Sequence, residues 1–74
     1  MKLDQLLAGE TWKHSFHTAL KIQKSSYSND LYITNHGIWL CNIQEINEEE
    51  IKVLSYLFDQ RIETTILVKD IELC

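Results

Sequence analysis

Asn47 is followed by three consecutive acids, Glu48, Glu49 and Glu50, and then by Ile51, Val53, Leu54, Leu57 and Phe58 at helical intervals. This pattern predicts an amphipathic helix from about Glu48 to Arg61. Asn47 is a good N-cap, and Glu50 three residues on completes a variant capping box. Ile46 before the cap and Ile51 after it have the spacing of a hydrophobic staple. The acids fall in the first turn, where the helix dipole favours negative charge by about 0.3–1 kcal/mol each. Lys52, Ser55, Tyr56 and Asp59 then take the solvent side.

Elsewhere the chain reads as strands. Trp12, Phe16 and Leu20 recur every four residues, with Ile22 joining them only at a two-residue period, so residues 12–24 are expected to form one long strand. Ser25 to Asp30 is a loop by composition. Leu31 to Thr34 and Ile38 to Ile43 flank Asn35-His36-Gly37, a hairpin signal, because Asn and Gly tolerate the positive φ of tight turns. Thr64 to Val68 is a further β run, and Leu3 to Leu7 suits a short helical turn stopped by Gly9. The expected fold class is therefore α+β: one domain spanning residues 1–74, in the order β-β-β-α-β. It has a small antiparallel sheet, a short N-terminal helical turn and one main amphipathic helix packed on one face.

That arrangement leaves a problem. The run from Ile38 to Ile43 is apolar on both faces, with Ile38 and Leu40 on one and Trp39, Cys41 and Ile43 on the other. A strand of this kind needs cover on both sides, and one helix supplies only one. The N-terminal segment, a second copy of the chain or a protein partner is expected to supply the other, and a homodimer is the first expectation.

A chain of 74 residues buries only about 60% of the surface it exposes when unfolded, so such help matters. Two cysteines, Cys41 and Cys74, are too few for a disulfide framework and suit a reducing compartment. Asp4 interrupts the apolar start, so no signal peptide is expected, and no apolar run is long enough to cross a membrane. A cytoplasmic location is the expectation.

No motif for catalysis stands out. Cys41 with His36, or Ser15 with His14 or His17, are the only local nucleophile–base pairings, and none has a glycine-shaped elbow. His14, His17, His36 and Cys41 supply zinc-type atoms but lack the close-spaced pairs of a structural site. With only Gly9 and Gly37, there is no phosphate-cradling loop. The expectation is no enzyme, no metal and no cofactor.

Charge divides the chain, with net +1 over residues 1–40 and −5 over residues 41–74. Lys13, His17, Lys21 and Lys24 form a basic stripe that a nucleic-acid-binding module would use, but the overall charge of −4 opposes a polyanion. The leading expectation is a small non-enzymatic protein-binding regulator or inhibitor. Its candidate contact residues are Trp39, Cys41 and Ile43 on the hairpin strand, with Lys52, Tyr56 and Asp59 on the helix. The alternatives are the nucleic-acid module and a small structural subunit of a larger assembly. Many phage- and mobile-element-encoded inhibitors, anti-CRISPR proteins among them, are similarly short and acidic, a likeness of size and charge that transfers no residues.

Overall fold

The computed structural model describes residues 2–74, and it is almost entirely β. Helix α1 (Lys2–Leu7) leads into strands β1 (Trp12–His14), β2 (His17–Lys24), β3 (Leu31–Asn35), β4 (Ile38–Ile46), β5 (Glu50–Leu57) and β6 (Gln60–Leu67). A 3-10 turn (Val68–Asp70) then carries the chain to β7 (Glu72–Leu73). The strands form one antiparallel sheet in the order β6-β5-β4-β3-β2-β1-β7.

Trp12 on β1 and Ile51 on β5 would stand about 19 Å apart in a flat sheet, at about 4.8 Å per strand. Both belong instead to one buried cluster with Leu20, Ile22, Ile33, Ile43 and Val53. The sheet is curled into a half-barrel around them. Three bulges assist the curl, one each in the β1–β2, β3–β4 and β4–β5 ladders. The first is marked by Ala19 at φ 55°. In the second, Trp39 and Cys41 oppose the adjacent residues Thr34 and Ile33, leaving Leu40 as the extra residue.

One end of the half-barrel is closed. Leu6 of α1 is fully buried there, alongside Val68 and Ile71 of the crossover. Lys2 Nζ donates to the Val68 carbonyl at 3.1 Å and the Ile71 carbonyl at 2.8 Å, tying α1 to that crossover. The other end carries the three two-residue turns that join β1 to β2, β3 to β4 and β5 to β6, because consecutive strands alternate in direction.

The expected α+β fold with a main helix is overturned. Residues 48–61, read as that helix, form a turn, β5 and the start of β6. β5 pairs with β4 on one side and β6 on the other, and its buried residues Ile51 and Val53 alternate with exposed Lys52. Phe58 and Asp59, at φ 51° and 65°, make the hairpin turn where the helix was expected to continue. Asn47 does accept the backbone N–H groups of Glu49 and Glu50, but in doing so it closes the β4–β5 turn. Ile46 and Ile51, spaced like a staple, face each other across the ladder.

The expected long strand over residues 12–24 is likewise broken. Ser15, at φ 56°, and Phe16 turn the chain between β1 and β2. Trp12 still faces Leu20, but from the opposite strand, and Phe16 leaves the core altogether. The β3–β4 hairpin lies where expected, turning at His36 and Gly37 with φ 51° and 84°.

Candidate functional site

Large apolar side chains collect at the hairpin end. Phe16 is 96% exposed on the first turn and Phe58 91% exposed on the third. Between them, β4 begins with Ile38 and Trp39, 64% and 51% exposed. On neighbouring β5, Tyr56 and Leu57 are also more than half exposed. Trp39 and Leu40 share a shallow groove with Tyr32, Leu54 and Tyr56, so the β4 and β5 contributions are contiguous.

Backbone geometry explains why these residues are outside. A two-residue hairpin turn projects its side chains away from the sheet, so Phe16 and Phe58 have nothing to pack on. Phe58 also adopts a left-handed φ that costs a bulky residue about 1 kcal/mol or more. Gly or Asn would relieve that strain. The bulge at Leu40 places Trp39 on the convex face with Thr34, where its ring meets Tyr32 edge-on at a centroid distance of 5.3 Å and 82°. Trp39 is thereby held in one orientation while half of it faces solvent.

Of the residues singled out in the sequence, the structure brings together Trp39 and Tyr56, both exposed at this end, with Asp59 at the third turn. Lys52 lies on the same face of β5 as Tyr56, held by Glu45 at 3.5 Å and Glu50 at 3.7 Å. Ile43 is a core residue, and Cys41 is half-buried against that core. The bulge therefore parts Trp39 from both. Phe16, Ile38 and Phe58 were not picked out by sequence reasoning, since Phe16 and Phe58 carried the spacing of core residues.

The basic stripe is also dispersed. Lys13 lies on β1 and bonds Glu72 at 3.1 Å, while Lys21 stands opposite Thr34 on the convex face. Lys24 is three residues beyond Lys21, on the other side of the strand, and His17 lines the cleft on the concave side.

That cleft has a volume of about 380 Å³ and opens between the β1–β2 turn and β6. His14, Ser15 and His17 line one side, Thr64 and Ile66 the other, and Leu40 and Cys41 lie on β4 between them. Burial pushes the Cys41 thiol above its ordinary pKa, opposed by a backbone hydrogen bond from Ile33. A raised pKa disfavours the thiolate, the form in which a cysteine acts as a nucleophile. Among the described residues, no three His, Cys, Asp or Glu side chains gather to hold a metal ion, and no helix is long and apolar enough to cross a membrane. Compared with protein-family models, with curated proteins and with solved structures, the chain matches none.

Proposed function

We propose that this chain is a non-enzymatic protein-docking module, a regulator or inhibitor that binds a protein partner through its hairpin end. The observation that carries the reading is the exposure of Phe16, Ile38, Trp39, Tyr56, Leu57 and Phe58 at that one end. Monomeric proteins rarely leave a large contiguous apolar patch in water, and aromatic anchors dominate the cores of protein interfaces. Strain at Phe58 supports the same reading, since a turn under selection for stability alone would carry Asn or Gly there. The free thiols of Cys41 and Cys74 suit a reducing compartment, and we place the protein in the cytoplasm on that ground.

A nucleic-acid partner is a weaker reading. Four of the seven basic side chains are already engaged, Lys2 with backbone carbonyls and Lys13, Lys52 and Arg61 with carboxylates.

The test is capture from source-cell lysate on immobilised protein, comparing the native chain with a Trp39→Ala/Phe58→Asn variant and a Lys21→Glu/Lys24→Glu variant. The proposal expects a stoichiometric protein that the first variant loses and the second retains. Capture indifferent to Trp39 and Phe58, or nucleic acid retained through the lysines, would refute it.

A further inference from the structure

Among the described residues, strand β6 has no neighbour on its outer side, since it ends the sheet order. Every second residue of such a strand turns its N–H and C=O away from the sheet, a template for another strand. Natural edges are usually blunted by shortness, proline, lysine, a bulge or covering structure. The opposite edge, β7, follows this rule and is two residues long. β6 does not. It runs for eight residues, QRIETTIL, without proline or lysine, and its ladder with β5 is unbroken through eight consecutive pairs from Leu57↔Gln60 to Glu50↔Leu67. Seven of its residues are exposed and Ile66 is half-buried. Its only charges are Arg61 and Glu63, which bond each other at 3.0 Å.

We infer that β6 pairs with β6 of a second copy of this chain, antiparallel about a two-fold axis centred on Ile62. The inference concerns a different surface from the hairpin end and does not depend on the docking role. Charge complementarity selects both the occupant and the register. Gln60, Ile62, Thr64 and Ile66 share the concave face, and Arg61, Glu63, Thr65 and Leu67 share the convex one.

A register that crosses faces would set Ile62 and Ile66 against polar convex residues and interrupt the apolar lining. Among face-matched registers, one centred on Glu63 puts two carboxylates directly opposite each other, which is repulsive. One centred on Thr64 leaves Arg61 opposite Leu67 and gains no ion pair. The register centred on Ile62 sets Arg61 opposite Glu63 of the second copy, and Glu63 opposite its Arg61. Ile62 then meets Ile62 between the two pairs. The strand is thus self-complementary in sequence, as a two-fold interface requires. Joined this way, the two sheets become one continuous sheet of fourteen strands, with the two clefts beside each other at its centre.

The experiment is the solution mass of the full chain by light scattering and analytical ultracentrifugation, with charge reversals on β6. The native chain is expected to sediment as a dimer at tens of micromolar. Arg61→Glu and Glu63→Arg, each alone, are expected to raise the dissociation constant about tenfold, and the double reversal to restore it. In a Cys41→Ala/Cys74→Ser background, Ile62→Cys is expected to give a covalent dimer on mild oxidation and Thr64→Cys to give none. Both charged side chains are exposed, so circular dichroism should show these variants folded. A native chain that stays monomeric overturns the inference, as does a dimer indifferent to the single reversals. A covalent dimer through Thr64→Cys instead of Ile62→Cys would also overturn it.

Discussion

Asn47 and Glu50 are bonded to each other twice. The Glu50 N–H donates to Asn47 Oδ1 at 3.0 Å, and the Asn47 N–H donates to the Glu50 carbonyl at 3.0 Å. Asn47 Oδ1 also accepts the Glu49 N–H at 2.8 Å, so one side chain organises the whole β4–β5 turn. Replacing Asn47 by Ala should destabilise the fold by about 0.5–2 kcal/mol, the usual worth of such a cap. Asp at the same position keeps the acceptor and should cost much less. Urea denaturation of the two variants checks the difference.

The same residue shows how far the sequence was legible. The expected helix cap and capping box are not formed; a side-chain oxygen bonding the N–H groups two and three residues on serves an N-cap and a tight turn alike, and here it serves the turn. The stretch after Asn47 was ambiguous too. Ile51 and Val53 satisfy a two-residue period, while Leu54, Leu57 and Phe58 extend a helical one. Pairing with β4 and β6 decides between them, and those partners lie outside any local window. The β3–β4 hairpin was legible because Gly37 announces its turn. The turns at Ser15-Phe16 and Phe58-Asp59 were hidden, since neither contains glycine or asparagine. With those turns went both phenylalanines of the chain, Phe16 and Phe58, whereas Trp39 and Tyr56 stood out by residue type.

Phe58 sets stability against binding. Asn accepts a left-handed φ readily, so Phe58→Asn should stabilise the protein by about 0.5–1 kcal/mol. It should also weaken capture of the protein partner. Thermal denaturation beside the lysate capture tests both halves, and a variant that is less stable than the native chain would contradict the strain argument.

Among the described residues, Trp12 is the largest fully buried side chain, and its indole Nε1–H has no hydrogen-bond partner. Trp12→Ala should cost about 3–5 kcal/mol by leaving a cavity. Trp12→Phe should cost less than half of that, because it keeps a packed ring and removes an N–H that is buried without an acceptor. Chemical denaturation with matched slopes distinguishes the two.

Cys41 links stability to pH. Its pKa is raised in the fold, first by burial, so the native state disfavours the thiolate relative to the unfolded chain. Stability from this group is complete below the ordinary thiol value of about 8.5 and is lost as pH climbs past it towards the folded pKa. Cys41→Ala should flatten that alkaline decline. In labelling with a maleimide at neutral pH, exposed Cys74 should react well before Cys41.

The β5–β6 hairpin underlies both proposals, since it supplies the tip at Phe58 and the open edge at Ile62. Nuclear Overhauser contacts across residues 48–67 test it most directly. The fold predicts cross-strand contacts in the register Tyr56↔Arg61, Leu54↔Glu63 and Lys52↔Thr65, with strand-type chemical shifts on both sides of Phe58. Sequential amide–amide contacts and three-residue spacings through residues 48–61 would instead mean a helix, and would contradict the account.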